Sequence, residues 1–321
     1  MKPVSWGILG ASKFAREHMG PAIHLAAGAE LVAVATRNPE KAEAFRAIAP
    51  GVRVIDSYAA LLDDPGVDAV YVPLPNHLHA AWTLRALAAG KPVLTEKPIA
   101  LHASEFDALI AARDRSGLLA SEAYMIVHHP QWQRARALVA DGGIGRVVHV
   151  TGAFAYDNRA DLANIRNRAE TAGGGLRDIG VYPIGGARFV TGAELEDVRA
   201  RIVRDNGVDV VAEVSAGLGE ASFTAYVSMR MFPRQEMVFH GEGGVLRLPV
   251  PFNAGVFGQA ELVLDRPGMT VGTERFPRIN QYVLQVEAFS RSVREGAPWP
   301  LPLEWSRGTQ AAIDAAFASE A

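Results

Sequence analysis

The chain of 321 residues contains no cysteine, which excludes disulfide bonds, thiolate catalysis and cysteine-ligated zinc. It also lacks an excess of charge of either sign, because 32 Lys and Arg residues face 35 Asp and Glu residues and the formal net charge is -3. These charges are interspersed, whereas nucleic-acid-binding and membrane-surface proteins concentrate basic residues. We therefore expect neither a nucleic acid nor a membrane as partner.

Long apolar runs are absent as well, and none approaches the ~20 residues of a membrane-spanning helix. The N-terminus passes directly into a strand-like segment that contains Gly7 and Gly10. It lacks the apolar stretch and small-residue cleavage site of a signal peptide. The expected compartment is the cytoplasm.

The composition is that of a globular protein, with 49% hydrophobic and 21% charged residues, and the length suits two domains. In residues 1–123, short apolar runs alternate with amphipathic stretches. This alternation is typical of a parallel sheet covered by helices. We predict an α/β chain whose residues 1–123 form a Rossmann-type, doubly wound dinucleotide-binding domain.

Residues 124–321 do not continue this alternation of strand and helix patterns. One helical pattern, Ile179–Val190, is followed by several strand-like runs within Val198–Leu264, broken by Gly, Pro and Asn. Strands without intervening helices favour an antiparallel sheet. Two further helical patterns close the chain, Gln281–Glu295 and Leu303–Ala318. We predict a C-terminal α+β domain with a large, mostly antiparallel sheet for substrate binding and oligomerisation.

The first strand pattern turns into a helix through Gly10-Ala11-Ser12-Lys13-Phe14. The common dinucleotide-binding pattern has glycine where Ser12 stands, but serine still permits close approach and offers a hydroxyl to phosphate. A helix N-terminus also favours a pyrophosphate. The alternative is an ordinary glycine turn. The strand-turn-helix context favours the cofactor site.

The second strand pattern ends in Thr36-Arg37, where an NAD-preferring fold usually has an acidic residue. A guanidinium, with Lys41 one turn into the next helix, suits a ribose 2′-phosphate, which Arg can bind through two parallel hydrogen bonds. An exposed Arg with no ligand is the alternative. We predict NADP as the cofactor, with NAD possible.

The segment Asn76-His77-Leu78-His79 raises the question of a metal site, but no local carboxylate or cysteine accompanies its histidines. We predict no metal. Asn76 is expected to cap the following helix, and His79 to border the cofactor.

Two segments carry the candidate catalytic residues. Lys97 stands between the end of a strand and Pro98, at the edge of the sheet where a nicotinamide binds. Asp178 and Tyr182 follow a run of three glycines and, being four residues apart, share one face of a helix. A capping Asp and a core Tyr are the alternative reading, which the presence of Lys97 disfavours.

These segments closely resemble the Gfo/Idh/MocA family, the relatives of glucose–fructose oxidoreductase and inositol dehydrogenase. The matching stretches are Glu96-Lys97-Pro98, Asn164-Ile165-Arg166, the glycine run to Asp178 and Tyr182, and Gln285-Val286-Glu287-Ala288-Phe289. Tyr182 stands where inositol dehydrogenases have His, as in NADP-dependent aldose dehydrogenases, dihydrodiol dehydrogenases and anhydrofructose reductases. Val127 departs from the polar residue common in the family and implies a more apolar pocket.

The resemblance implies an oxidoreductase that transfers a hydride between a nicotinamide cofactor and a hydroxyl or carbonyl of a sugar, polyol or diol. Tyr182 would transfer the hydroxyl proton, because a nearby cation such as Lys97 makes a phenol a better base. Asp178 would orient Lys97 or bind a substrate hydroxyl, and Arg166 would bind the substrate's polar end. The Lys97–Pro98 peptide is expected to be cis. The expected cofactor-binding residues are Gly10, Ala11, Ser12, Lys13, Phe14, Thr36, Arg37, Lys41, Pro73, Leu74, Asn76, His79, Glu96 and Lys97.

Two other functions stay open at this point. One is a nicotinamide-dependent glycoside hydrolase with the same fold. The other is a redox-silent dinucleotide-binding regulator, against which the joint presence of Lys97 and Tyr182 speaks. A homodimer or homotetramer is expected, because a large apolar sheet face seldom stays exposed.

Overall fold

The computed structural model describes residues 2–268 and 270–320, and the chain divides into two compact units. The first consists of Met1–Met125 and Gln281–Ser306, and the second of Ile126–Asn280 and Arg307–Ala321.

This division differs from the predicted one, which placed all of 124–321 in a single domain. Residues 281–306 belong to the first unit because they pack on its first strand. The indole Nε1 of Trp6 donates to Ser290 Oγ at 3.1 Å, and the Trp6 ring lies 5.1 Å from that of Phe289. Sequence periodicity found the helix but could not show on which unit it packs.

The first unit is built on a six-stranded sheet with the order β3-β2-β1-β4-β5-β6, and all its strand pairs are parallel. The strands are β1 (Val4–Leu9), β2 (Ala29–Ala35), β3 (Arg53–Ile55), β4 (Ala69–Val72), β5 (Val93–Glu96) and β6 (Ala120–Ala123). Every residue of β1 is buried, as expected for a sheet covered on both faces. The predicted doubly wound sheet is confirmed, and its order reverses between β1 and β4, where such folds bind ligands.

Helices cover this sheet. They are α1 (Gly20–Leu25), preceded by a π-helical segment (Ala15–Met19), α2 (Pro39–Ile48), α3 (Tyr58–Leu62), α4 (His79–Ala88), α5 (Phe106–Ser116) and α8 (Gln281–Glu295). The last helix of the chain, α9 (Leu303–Ala318), begins in the first unit and continues in the second.

The second unit contains an eight-stranded sheet with the order β14-β13-β12-β11-β7-β10-β9-β8. Its strands are β7 (Val147–Asp157), β8 (Leu195–Asp205), β9 (Val208–Leu218), β10 (Ala221–Ser228), β11 (Arg230–Gly241), β12 (Gly244–Leu248), β13 (Glu261–Arg266) and β14 (Thr270–Arg275). The pair β7–β10 is parallel and the other pairs are antiparallel. The predicted mostly antiparallel sheet is confirmed.

Two helices belong to the second unit, α6 (Pro130–Ala140) and α7 (Val181–Thr191), the latter preceded by a π-helical segment (Leu176–Gly180). The side chain of Phe154 on β7 meets the ring of Tyr182 on α7, with centroids 5.6 Å apart, so α7 packs against that face of the sheet. Among residues 2–268 and 270–320, no helix has the length and apolar character needed to cross a membrane.

Candidate active site

The glycine turn of the first unit has the geometry of a phosphate-binding loop. Gly10 has φ +112°, and a Cβ there would lie 3.0 Å from a methyl group of Leu74, so a side chain would be both strained and crowded. Ser12 Oγ accepts a hydrogen bond of 3.0 Å from the Ala15 amide, near the start of the helical segment at Lys13. The first amides of a helix have no acceptors within it, so this turn supplies the donors that a pyrophosphate needs.

The turn after β2 carries two cationic side chains, Arg37 and Lys41, at the position predicted to bind the 2′-phosphate of NADP. The Thr36 hydroxyl accepts a 3.1 Å hydrogen bond from the Asn38 amide, so it closes the turn. Asn38 in turn caps α2, accepting a hydrogen bond from the Lys41 amide at 3.3 Å. Arg37 and Lys41 are exposed. The turn therefore fits a phosphate through these two side chains, while the Thr36 hydroxyl is already used within the turn.

His79 connects two loops at the carboxyl edge of the sheet. Its Nδ1 lies 2.7 Å from the Pro98 carbonyl oxygen and its Nε2 lies 2.6 Å from that of Leu74. The ring is buried, and burial lowers its pKa to about 4. Both ring nitrogens thus face protein carbonyls, and His79 holds the loop after β4 against the loop after β5.

The entry into α4 corrects one prediction. Asn76–Leu78 forms a 3-10 turn whose N-cap residue is Pro75, with no side-chain capping bond, and the Leu78 amide donates to the Pro75 carbonyl at 2.9 Å. The helix itself begins at His79, after Leu78 as its N-cap. Asn76 therefore does not cap it, because the chain enters the helix through a tighter turn.

Lys97 directly follows β5 and is partly exposed. The Lys97–Pro98 peptide is cis, which confirms that prediction. The Lys97 charge lies close enough to Glu122 to act on its titration: burial raises the pKa of Glu122 to about 7, and Lys97 opposes that rise. The preceding carboxylate, Glu96, accepts a 2.6 Å hydrogen bond from the Tyr71 hydroxyl.

In the second unit, one carboxylate oxygen of Asp178 contacts two other polar side chains, those of Tyr156 and Arg166. Asp178 Oδ2 accepts a hydrogen bond from the Tyr156 hydroxyl at 2.6 Å and lies 2.8 Å from Arg166 Nε. The negative charge of Asp178 raises the pKa of Arg166. The pKa of Tyr156 is also raised, mainly by burial and to a lesser extent by the charge of Asp178. Arg166 and Asp178 are thus an ion pair, a contact that was not predicted: Asp178 was expected to orient Lys97 or bind a substrate hydroxyl, and Arg166 to bind the substrate's polar end.

Tyr182 lies beside this ion pair and is held by aromatic rings. The residue is 6% exposed, and its ring centroid lies 5.6 Å from that of Phe154 and 5.4 Å from that of Phe252. Tyr182 is also among the groups that raise the pKa of Arg166, after Asp178. The structure therefore places Asp178 and Tyr182 each near Arg166.

The glycine run before Asp178 is explained by a residue that sequence reasoning missed. Gly174 has φ +115°, and a Cβ there would overlap the carboxylate of Asp209 on β9. The other Asp209 oxygen accepts a 2.6 Å hydrogen bond from the Leu176 amide, the first residue of the π-helical segment that carries Asp178. Burial raises the pKa of Asp209 to about 6. Asp209 thus anchors the start of the helix that bears the candidate catalytic residues.

Four residues described above were not among the predicted site residues: Phe252, Tyr156, Asp209 and Glu122. Tyr156 had a signal in the sequence, since it lies two residues after Phe154 in an alternating strand and therefore on the same face. The two buried carboxylates lie inside apolar strand patterns, where a lone acid carries no local signal. Across residues 2–268 and 270–320, no group of three or more His, Asp or Glu side chains could hold a metal ion.

Both parts of the chain match known protein families. Residues 4–124 match the model of the oxidoreductase family with an NAD-binding Rossmann fold, and residues 132–247 match the GFO/IDH/MocA C-terminal domain. The chain is 36% identical to a dTDP-3,4-didehydro-2,6-dideoxy-alpha-D-glucose 3-reductase from Saccharopolyspora spinosa, over 92% of this chain and 89% of that protein. It is 34% identical to a D-xylose 1-dehydrogenase (NADP(+)) from Haloferax volcanii, over 98% and 96%.

A solved structure extends the likeness to three dimensions. The 3-ketoreductase from Actinomadura kijaniata, in complex with NADP and TDP-benzene, superposes with a TM-score of 0.91 at 30% identity, covering 99% of this chain and 98% of that one. The identities and the coverage of both domains confirm the resemblance first seen in the short motifs. The chain belongs to the Gfo/Idh/MocA family of oxidoreductases.

Proposed function

We propose that the protein is an NADP-dependent oxidoreductase that interconverts a hydroxyl and a carbonyl group of a sugar, with Tyr182 and Lys97 as the groups that handle the proton. The observation that carries the proposal is the ring of Tyr182, oriented by Phe154 and Phe252 beside the Arg166–Asp178 ion pair. The named activities of the relatives, a xylose dehydrogenase and a keto-sugar reductase, support a sugar substrate.

The residues that hold NADP in this proposal lie at the carboxyl edge of the parallel sheet. The amides after Gly10 and the Ser12 hydroxyl bind the pyrophosphate, and Arg37 with Lys41 binds the 2′-phosphate. The bound nicotinamide supplies the hydride acceptor or donor. NADP in the A. kijaniata structure and in the name of the H. volcanii relative supports this choice of cofactor.

The chemistry assigned to the protein is proton transfer and orientation. The Tyr182 phenolate accepts the proton of the substrate hydroxyl during oxidation, and the Tyr182 hydroxyl returns it to the carbonyl oxygen during reduction. Lys97 donates a hydrogen bond to the same substrate oxygen, and its charge favours the phenolate. Arg166 supplies further positive charge near Tyr182, while Asp178 and Tyr156 fix the Arg166 side chain.

A substrate panel tests this function directly. Absorbance of reduced nicotinamide is followed with NADP and NAD against free aldoses, polyols, diols and dTDP-linked sugars, in both directions with the corresponding carbonyl compounds. We expect net reduction of NADP with at least one sugar. Sugar hydrolysis without net change in the cofactor would contradict the proposal and indicate a glycoside hydrolase, and cofactor binding without turnover of any compound would indicate a regulator.

We also propose self-association through the face of the eight-stranded sheet opposite α7. This outer face forms a groove lined in part by Thr151, Ala153, Glu213 and Val238. The alternation of strand residues places Phe154 and Tyr156 on the other side, so the outer face is not covered by α7. Light scattering should give a dimer or tetramer, and Val238→Glu should lower the mass. A monomeric wild-type protein would contradict this proposal.

A further inference from the structure

Glu122 is a buried carboxyl group in the first unit, close to the lysine assigned to catalysis. It lies on β6, opposite Thr95 of β5, and it is 6% exposed. Its Oε1 accepts a 2.9 Å hydrogen bond from the amide of Ile99, and the Ser306 side chain provides a further hydrogen bond. Glu122 therefore connects the sixth strand to the turn that follows the fifth.

That turn consists of Lys97, Pro98 and Ile99, and it is held from two sides. Proline has no amide hydrogen, so Ile99 carries the first backbone donor after Lys97, and Glu122 accepts it. On the other side, a ring nitrogen of His79 lies 2.7 Å from the Pro98 carbonyl oxygen. The backbone position of Lys97 thus depends on both contacts.

Charge gives Glu122 a second connection to Lys97. A buried carboxylate is costly unless donors and a counter-charge compensate for lost hydration. The charged groups that act on Glu122 are Lys97, which favours its ionised form, and Glu96, which disfavours it. Burial is the larger effect and raises the pKa of Glu122 to about 7.

We propose that Glu122 is a positioning residue for Lys97, fixing the Lys97–Pro98–Ile99 turn and supplying the buried counter-charge of the Lys97 ammonium. This inference rests on the proposed function to the extent that Lys97 is the lysine of the reaction. Glu122 acts through Lys97 and the turn, and contacts neither substrate nor cofactor in this account. It completes the set of groups that place the catalytic lysine.

The counter-charge can be tested without turnover, by amine labelling of the protein free of substrate. An N-hydroxysuccinimide ester is applied at about pH 8, and peptide mass spectrometry compares the labelling rate of Lys97 with those of Lys13 and Lys41, which are exposed. Glu122→Gln keeps a hydrogen-bond acceptor for Ile99 but removes the charge. Lys97 should then be labelled about 10-fold faster than in the wild-type protein, because a nearby opposite charge has been removed, while Lys13 and Lys41 keep their wild-type rates.

The positioning role predicts a separate kinetic effect. Glu122→Asp keeps the charge but withdraws the carboxylate by one methylene, so labelling of Lys97 should stay at the wild-type rate while kcat falls about 10-fold or more. The dissociation constant for NADPH should change by less than about twofold in both variants. Glu43→Gln, at an exposed carboxylate on α2, is the matched control and should leave every readout unchanged.

The outcomes separate this inference from the proposed function. The role of Glu122 would be overturned if Lys97 in the Glu122→Gln variant were labelled at the wild-type rate, or if both variants kept the wild-type kcat. Either result would do so even if the enzyme oxidises sugars. If Glu122→Gln does not fold, Glu122→Asp gives the answer, because it keeps the charge and withdraws the carboxylate from the Ile99 amide. Wild-type kcat in that variant would overturn the inference.

Discussion

Arg166 Nε and Asp178 Oδ2 form an ion pair at 2.8 Å. The same oxygen accepts the hydrogen bond of the Tyr156 hydroxyl, so two donors from different parts of the second unit meet at one atom. Asp178 is buried and its charge is compensated by Arg166, which makes it an anchor for the cation near Tyr182 rather than a base.

The ion pair predicts that Arg166 and Asp178 act as a unit. Asp178→Asn keeps an acceptor for Tyr156 but removes the charge that orients Arg166, so kcat/KM should fall about 10- to 100-fold. Arg166→Gln should give a similar loss. The double variant should be little worse than the poorer single one, because partners that contact each other are not additive. Losses that multiply in the full double-mutant cycle would show that the two residues act independently.

Arg37 predicts the cofactor preference. Arg37→Asp replaces a cation with an anion at the expected 2′-phosphate site, so NADP binding should weaken about 100-fold while NAD binding is retained or improves. Fluorescence titration with both reduced cofactors measures this change. Arg46→Asp, an exposed position at the other end of α2, is the control. Equal losses for the two cofactors would assign Arg37 a structural role.

Most of the fold could be predicted because its signals are local. The closing helices Gln281–Glu295 and Leu303–Ala318 have the predicted bounds, since each shows helical periodicity over more than three turns. The three-residue strand β3 is too short to show a period. The return of 281–306 to the first unit depends on long-range contacts such as Trp6 with Ser290, which no local pattern encodes.

The site was predictable where residues lie close in sequence. Asp178 and Tyr182 were grouped because they are four residues apart, and Lys97 was proposed from its place between a strand and a proline. Asp209 and Phe252 reach the site from strand β9 and from the segment after β12, and their roles depend on tertiary packing. The capping role predicted for Asn76 was wrong because capping preferences do not distinguish an α-helix from a 3-10 entry.

Asp209 predicts a pH dependence of stability. Burial raises its pKa from 3.8 to about 6, so the folded state keeps a proton that the unfolded chain loses. This contribution to stability is fully present below the unfolded pKa and is lost as the pH rises through about 6. In the Asp209→Asn variant the side chain is neutral at every pH of the experiment, and its amide oxygen can still accept the hydrogen bond of the Leu176 amide.

Urea unfolding between about pH 4 and pH 7 should therefore show a stability difference that moves in favour of Asp209→Asn by about 2 kcal/mol. Asp141→Asn, at an exposed position, should run parallel to wild type. A difference between Asp209→Asn and wild type that stays constant with pH would contradict the raised pKa of the buried carboxyl.

Tyr182→Phe removes the hydroxyl proposed to transfer the proton while keeping the ring in contact with Phe154 and Phe252. The measurement is kcat for the best sugar of the panel, together with NADPH affinity and the thermal midpoint. The control is Tyr226→Phe, on the outer face of the sheet.

We expect Tyr182→Phe to lower kcat about 100- to 10,000-fold with cofactor affinity and thermal midpoint nearly unchanged. Lys97→Met should also lower kcat, and the double variant should be little worse than either single one. A Tyr182→Phe enzyme that keeps more than about a tenth of wild-type turnover would contradict the account and would move proton transfer to Lys97.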